Sequence, residues 1–516
     1  MIKKGIIFYL VSLLTACSVS SPPLTIDERY NEATNDLKQL FSEQEKPTHK
    51  MDFYEALARG VKYNLDYRVK LVNTALQIGQ LKVAEFTMFP ALNATGSLYT
   101  RSNAFSSFGI TTAGTPTDVL NATPDTVRSA RIALSWNILD FGINYVRAKE
   151  QSEKVLIAEE EARRQLQQLA QEILVSYWSA YSAQQLMDDT KAFQKLLQKS
   201  KAKLVVATKD YTIPKESILN YQAALLEGER RLIQLQYKYD KAISELRHLL
   251  FLPVDQKIVL APLPAMFRKA QNLRYVDLQK MDAITLVSRP ELRGQQYQQR
   301  IAKFGVKTVI LQSLPGITPN YGAWNYNSNK FLINNIWLDR SVDVSWNLLN
   351  LASLPTTYKT AEFQVKFERL KLMALTMTAL TETRYAFAHY NTLRREYAVA
   401  HKQYLTAQEL YQLNSNRRLA SLASDQQVIL SRLKAIAAKM DENLLISDLS
   451  TVLGELYLSI GVDILPPDIM NLPLDKAVKA LKRNFAIRNN ANFPQFINLA
   501  YSKIFPHSNC DNKATT

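Results

Sequence analysis

Side chains that could carry out catalysis are few in this 516-residue chain, and their spacing does not bring them together. His389 and His401 are the closest pair among five histidines, yet on one helix they are rotated about 120° from each other. The chain has no H-E-x-x-H zinc motif, no G-x-S-x-G nucleophile elbow and no phosphate loop. Two cysteines, Cys17 and Cys510, are too few for a disulfide scaffold, a cysteine-rich zinc module or an iron–sulfur site. We therefore expect neither an enzyme nor a bound cofactor.

Cys17 is the residue whose surroundings predict a chemical modification. Lys3 and Lys4 precede an apolar stretch that leads into Leu14-Thr15-Ala16-Cys17, and this order is typical of a secretory signal. Small residues ahead of a cysteine resemble the lipobox of bacterial lipoproteins. The resemblance implies removal of residues 1–16, attachment of acyl and diacylglycerol groups to Cys17 and, because Ser18 follows, transfer to the outer membrane. The alternative is an ordinary signal peptide with a chance cysteine.

The chain is basic, but its charge pattern does not favour a nucleic-acid partner. Lys and Arg number 63 against 47 Asp and Glu, for a formal net charge of +16. Bases and acids alternate along helical stretches, for example Glu159-Glu160-Glu161-Ala162-Arg163-Arg164, which is typical of solvated helix faces. An exported chain also rarely meets nucleic acid. No apolar run approaches the ~18 residues that a membrane-spanning helix requires, so we expect no such helix.

The chain is a tandem duplication of units of roughly 200 residues. The segment Leu134-Ser135-Trp136-Asn137-Ile138-Leu139-Asp140 recurs as Val344-Ser345-Trp346-Asn347-Leu348-Leu349-Asn350, an offset of 210 residues. Upstream, Phe89-Pro90 corresponds to Leu314-Pro315. Because the matching segments follow in the same order, we assign a first unit to residues 51–255, a linker to 256–281 and a second unit to 282–462.

Each unit combines long helices with a pair of strands. Helical spacing of apolar residues predicts helices over 52–88, 143–209, 215–250, 282–313, about 356–413 and 416–460. Alternation of apolar and polar residues predicts strands at about 91–102, 127–138, 316–326 and 336–348. No proline interrupts 143–209, so this helix would be roughly 100 Å long at ~1.5 Å per residue. Two half-length helices stacked beside each full-length helix would form the wall of a cylinder; a single-chain bundle is the alternative.

The four strands have the length and alternation of outer-membrane strands, but they cannot close a barrel alone. Three chains would supply twelve strands. The expected fold is therefore mainly α with a small β part: duplicated long coiled coils beneath a trimeric, twelve-stranded outer-membrane barrel. Trp136 and Trp346 lie near the periplasmic strand ends, where membrane-interface aromatics are expected, although a core position for them is also open.

These features together resemble the TolC-like outer-membrane efflux protein family, and its lipid-anchored branch in particular. The resemblance rests on the signal with Cys17, the duplicated helix–hairpin–helix unit, the two X-Pro strand entries and the two Ser-Trp-Asn strand exits, and it covers about residues 50–462. It implies a homotrimer in the outer membrane of a Gram-negative bacterium, with a helical duct through the periplasm. It also implies a periplasmic adaptor and an inner-membrane transporter of the RND or ABC type as partners.

The resemblance also implies a gate where the helices reverse, near residues 210–214 and 414–418. In the family, a Tyr and an Arg of the second unit bond to the first unit's tip, where an acid receives the Tyr. The matching residues here are Tyr411, Arg418 (or Arg417) and Glu216. Asp210 lies in the first reversal. The family's paired Asp residues are missing around 420–424, with Asp425 nearby, so the mouth would be lined by arginines and would favour anions.

The two ends of the chain are expected to lie outside the repeated units. Residues 17–50 would act as a tether from the lipid to the first helix, and residues 463–516 as a loose belt ending in a disordered tail.

Two other functions are alternatives to a drug-efflux channel. The first alternative is the outer-membrane channel of a type I protein-secretion system. The second is a structural or adhesive lipoprotein that conducts nothing, which would not need polar alternation in its strands.

Overall fold

The computed structural model describes residues 22–506, apart from 43, 46–49, 208–213, 254, 263–272, 274–275, 420–424, 464, 467–468 and 490–492. The described chain is mainly helical with a small antiparallel sheet, which confirms the expected mainly α fold with a small β part. Its helices are α1 (Ile26–Ser42), α2 (Phe53–Tyr63), α3 (Leu65–Phe86), α4 (Ile138–Ala207), α5 (Lys215–Leu249), α6 (Leu278–Ser288), α7 (Pro290–Gln312), α8 (Leu348–Leu419), α9 (Asp425–Ser459), α10 (Leu474–Asn489) and α11 (Phe493–Ile504). Its strands are β1 (Ala91–Thr100), β2 (Phe105–Ser107), β3 (Leu120–Thr123), β4 (Thr126–Ser135), β5 (Gly316–Asn327) and β6 (Ile336–Ser345).

The hairpins of the two units lie side by side in one four-stranded sheet of order β1-β4-β5-β6. The register pairs Ala94 with Ile132, and Ile132 in turn with Trp324. β2 and β3 form a separate two-stranded sheet. Because β1 and β6 stand at the outer edges of the main sheet, each has one side without a strand partner in the described part of the chain.

Two very long helices run away from the sheet. α4 has 70 residues and α8 has 72, so each is about 105 Å long at ~1.5 Å per residue. Near the sheet, the contacts between helices give the lateral order α3-α4-α7-α8; farther away the order is α5-α4-α9-α8. The column formed by α3 and α5 therefore lies at one edge of the helical layer, and α8 lies at the other.

Two helices that the sequence predicts as continuous are interrupted. The predicted helix 52–88 is broken at Asn64, whose side chain caps α3 by accepting from Tyr67 N at 2.9 Å. The predicted helix 282–313 is broken at Arg289. Pro290 explains the second break, because it lacks an N–H and disfavours helical geometry at the residue before it.

The C-terminal segment is not the loose belt that the sequence predicts. α10 contributes Leu481 and Phe485 to a buried apolar cluster with α2, α4 and α5. α11 contributes Phe493 and Ile497 to a second cluster with α6, α8 and α9. The predicted disordered tail includes residues 507–516, which lie outside the described residues. Within the described residues, no helix is long and apolar enough to cross a membrane.

Candidate functional site

The four-stranded sheet has one apolar face and one polar face. Cross-strand pairs and alternation place on the apolar face Leu92, Ala94, Ile132, Leu134, Trp324, Leu338, Val342 and Val344, with Arg340 as a charged residue among them. The opposite face carries Asn93, Thr95, Ser97, Ser129, Arg131, Asn325, Asp339, Ser341 and Asp343. Every residue of β1 and β6 is exposed in the single chain, on both faces. A sheet with this pattern can separate an apolar medium from water.

Side-chain hydrogen bonds between strands satisfy polar groups on the polar face. Asn320 Nδ2 donates to Ser341 Oγ at 2.8 Å and to Asp343 Oδ2 at 2.6 Å. Asn325 Nδ2 donates to Asp339 Oδ2 at 2.9 Å. These amide–carboxylate pairs fix carboxylate oxygens on the polar face, which also carries the Arg131 guanidinium, so this face presents charges of both signs to any solvent that it lines.

Trp136 and Trp346 lie where the apolar face ends, and each closes a junction between helix and sheet. Trp136 Nε1 donates to Met88 O at 3.1 Å, and Trp346 Nε1 donates to Ser313 O at 3.0 Å. Met88 and Ser313 are equivalent residues of the two units. Each indole thus satisfies a carbonyl just beyond the end of the helix that leads into the sheet, where intrahelical partners are lacking.

The asparagine after each tryptophan starts the long helix. Asn137 Oδ1 accepts from Leu139 N at 2.9 Å and from Asp140 N at 3.1 Å. In the second unit, Asn347 Oδ1 accepts from Leu349 N at 3.1 Å. Asparagine is a preferred helix N-cap because its side-chain oxygen satisfies free N–H groups. The Ser-Trp-Asn repeat is therefore a structural motif that ends one helix and begins the next.

The predicted gate residues lie close to the far ends of the helices. α8 continues to Leu419, so the prediction of a reversal at 414–418 is wrong, and Tyr411, Arg417 and Arg418 are helical. The stretch 414–418 contains no Gly or Pro that would break a helix. Its two arginines also suit a last turn, because they interact favourably with the negative end of the helix dipole.

The structure describes five of the six predicted gate residues, and their action as a gate stays a prediction. The Tyr411 ring lies under the Arg432 guanidinium of α9, with 5.8 Å from Cζ to the ring centroid. Glu216 is exposed in the first turn of α5, and Asp425 is the first residue of α9. Asp210 and Cys17 lie outside the described residues.

An ion-pair network that the sequence does not predict joins the two units. Glu160 of α4 is only 7% exposed, so the prediction of a solvated face at 159–164 is wrong for this residue. Its carboxylate contacts Arg293 of α7 at 2.7 Å and Arg163 at 3.3 Å, and Arg163 also contacts Asp463 at 2.8 Å. Burial raises the pKa of Glu160, although both arginines oppose that shift. No local pattern reveals this network, because its members come from distant parts of the chain.

A second ion-pair cluster holds the break between α6 and α7. Arg289 contacts Glu291 at 3.0 Å and Glu382 of α8 at 2.7 Å. Gly461 lies directly against this break: its φ is +75°, and a Cβ added to it would come within 2.8 Å of Arg289 Cα. Glycine is therefore required here both for its conformation and for close backbone approach.

Comparisons with known proteins identify the fold. No protein-family model and no curated protein matches the sequence. Among solved structures, the channel-forming protein CusC matches with a TM-score of 0.64 and 15% identity, over 82% of this chain and 96% of CusC. The Campylobacter jejuni outer-membrane channel CmeC matches with 0.62 and 12%, over 90% and 97%. The open state of the Neisseria gonorrhoeae outer-membrane channel MtrE matches with 0.61 and 14%, over 79% and 88%.

These similar structures are channel proteins with the TolC-like fold. Each aligned region includes most of the other chain, so the likeness extends over the whole architecture of sheet and long helices. The chain therefore has the fold of the TolC-like outer-membrane efflux channels, as its sequence resemblance predicted.

Proposed function

We propose that three copies of this chain form an outer-membrane channel that serves as the exit duct of a tripartite efflux system. The observation that carries the proposal is the open four-stranded sheet with one apolar and one polar face. Unpaired edges are costly in lipid, where no water satisfies the backbone groups, so such a sheet must close with others. Pairing β6 of one copy with β1 of the next would close twelve strands around a polar lumen.

The helical layer supports the same ring, because each of its edges carries an exposed apolar seam. On α3 the seam consists of Leu65, Val69, Val72, Leu76, Val83 and Phe86, which are between 38% and 74% exposed. Their steps of three, four and seven residues are those of a coiled-coil seam. On α8 the matching residues are Phe363, Phe367 and Leu370, between 55% and 66% exposed.

These two seams lie at opposite edges of one layer, which favours a head-to-tail contact between copies. Such heterologous contacts form a closed ring when the rotation permits it, and three copies satisfy the strand count. The α3 seam of one copy would then pack against the α8 seam of the next, so the helical seams and the strand edges would close together.

The channel is proposed to conduct passively. An inner-membrane RND or ABC transporter would supply the energy, and a periplasmic adaptor would join it to the helical duct. Acylated Cys17 would anchor each copy in outer-membrane lipid, with residues 17–50 connecting the anchor to the duct. The protein would hold no catalytic site and would act through the shape and polarity of its lumen.

The proposal is tested on mature protein purified in detergent and reconstituted in planar bilayers. We expect a mass of three copies by light scattering and stepwise ion conductance after insertion. A monodisperse monomer that keeps its β content by circular dichroism would overturn the trimer. A trimer without conductance would instead favour the structural or adhesive lipoprotein.

The type of system is tested by identifying what cross-links to the channel in membranes. An adaptor with an RND pump supports drug efflux, whereas an adaptor with an ABC exporter and a secreted polypeptide would favour type I secretion. An acylation-competent lipoprotein from the same membrane, purified in parallel, serves as the control for non-specific capture.

A further inference from the structure

α1 lies in the segment predicted to be a tether, but it is a separately capped helix. Thr25 N donates to Glu28 Oε2 at 2.8 Å, and Glu28 N donates to Thr25 Oγ1 at 3.2 Å. This reciprocal pair is a capping box, which satisfies free N–H groups at a helix N-terminus. The capping box therefore fixes the start of this helix, although the helix has no buried residue in the single chain.

One face of α1 is apolar and largely uncovered. Ile26, Tyr30 and Leu37 lie on this face at steps of four and seven residues and are 57–76% exposed. The same face ends in Leu40 and Phe41, which line a cavity of about 280 Å³ at the end of α5, together with Ser244, Arg247, His248, Phe251 and Leu252. The last turn of α1 thus lies beside the end of α5, a position called the α1 seat, and the rest of its apolar face has no partner in the described chain.

The position of this seat argues against a membrane as the missing partner. The end of α5 packs in one buried cluster with Ile173, about 35 residues along α4 from the sheet, a distance of roughly 50 Å. α1 has 17 residues and is about 25 Å long, so it cannot reach the sheet from its seat. Its acids Asp27, Glu28, Glu32 and Asp36 outnumber its bases Arg29 and Lys38, which disfavours anionic lipid surfaces.

The opposite edge of the chain carries an uncovered surface at the same height. The apolar residues of α8 continue beyond the proposed α3 contact to Met377 and Tyr385, which are 67% and 68% exposed and form the lower α8 stripe. α3 reaches about 22 residues from the sheet, whereas Tyr385 lies about 37 residues from the start of α8. Tyr385 therefore lies below the α3 seam and near the height of the α1 seat.

We propose that α1 is an intersubunit clamp: its apolar face packs against the lower α8 stripe, around Met377 and Tyr385, of a second copy of this chain. The inference rests on the proposed trimer, which places the α3–α5 column of one copy beside α8 of the next. α1 is seated on that column, so its uncovered face meets the neighbour's uncovered stripe. Within one chain the two surfaces are separated by the width of the helical layer, about four helices at 8–10 Å each.

Disulfide trapping tests the contact in full-length protein carrying Cys510→Ser, which leaves Cys17 for the lipid. We expect Leu37→Cys combined with Tyr385→Cys to form disulfide-linked dimers and trimers upon mild oxidation, seen on denaturing non-reducing gels. The matched control is Asn35→Cys with Tyr385→Cys, because Asn35 is exposed on the opposite face of α1. We expect this control to give at least fivefold less linked product.

The outcomes separate this inference from the proposed function. A wild-type protein that is not trimeric by light scattering would refute the trimer and the clamp together. A trimer in which the Leu37 pair links no better than the Asn35 pair, or links only within one chain, would refute the clamp alone. As a second measurement, Ile26→Asp with Leu37→Asp should lower the temperature at which the trimer dissociates by several degrees, whereas Asn35→Asp should not.

Discussion

Trp346 donates its indole N–H to the backbone oxygen of Ser313 at 3.0 Å, and so ties the end of β6 to the end of α7. The first unit repeats this relationship between Trp136 and Met88. The two residues predicted to be membrane-interface aromatics therefore serve as caps, because their polar ends bond to carbonyls that α3 and α7 leave free.

Replacing Trp346 by Phe should remove this bond while keeping an aromatic ring on the apolar face. A neutral hydrogen bond contributes roughly 0.5–1.5 kcal/mol, so we expect a loss of that size per chain in the free energy of unfolding. Denaturant unfolding monitored by circular dichroism measures it. Trp337→Phe is the control, since the Trp337 indole makes no hydrogen bond with the described residues. Equal losses in the two variants would contradict a capping role.

Charges placed in the α3 seam should prevent assembly. Val72→Asp with Leu76→Asp would bury two carboxylates between copies, and uncompensated burial of charge is prohibitive. We expect size-exclusion chromatography with light scattering to show mainly monomer. Ala75→Asp adds a carboxylate at an exposed position of α3 about a quarter turn from the seam and should leave the trimer intact. A trimer that survives the double substitution would rule out the seam as an interface.

Cys17→Ser should abolish acylation without preventing insertion into the outer membrane. Barrel closure provides far more membrane affinity than acyl chains do. Metabolic labelling with palmitate and membrane fractionation measure the two effects separately. Label that still enters the variant would refute the lipobox prediction.

The hydroxyl group and the ring of Tyr411 can be tested separately for a role in the predicted gate. Tyr411→Phe with Arg418→Ser should raise single-channel conductance if these side chains hold the duct closed, although single exposed contacts contribute only about 0–1 kcal/mol each. Tyr411→Phe alone keeps the ring under Arg432, so Arg432→Gln is the variant that tests the ring contact. Unchanged conductance of the double variant, in an intact trimer, would remove both residues from the gate.

The Arg289 cluster should make stability depend on pH in the acidic range. Burial opposes ionisation of Glu291, but the hydrogen bonds and charge of Arg289 outweigh it and lower the pKa of Glu291. A lowered pKa stabilises the folded state above the ordinary value near 4.5, and this stabilisation is lost as the pH falls through the folded-state pKa. Glu291→Gln should therefore be less stable at pH 7, by about 1–2 kcal/mol, and should lose less on acidification. Parallel acid-unfolding curves for the two proteins would contradict this role.

Much of the architecture could be predicted from the sequence because it depends on neighbouring residues. Periodicity identifies helices and strands locally, and the repeat around Trp136 and Trp346 identifies the duplication. The helix break at Arg289 could also be predicted from the sequence, since Pro290 is a local signal for it. The capping box at Thr25 and Glu28 is likewise visible as a four-residue pattern and predicts a helix start within the segment 17–50.

The tertiary structure alone decided which distant residues meet. Glu160 sits in an acidic and basic stretch that is typical of a solvated face, and only the fold brings Arg293 and buries the carboxylate. Phe485 and Phe493 lie in a polar, asparagine-containing segment, yet both are core residues because α10 and α11 cover the gaps where the half-length helices meet. Local sequence determines which elements form and in what order, since helix and strand periods involve consecutive residues. Burial and ion pairing depend on the packing of elements hundreds of residues apart, and so they follow only from the assembled chain.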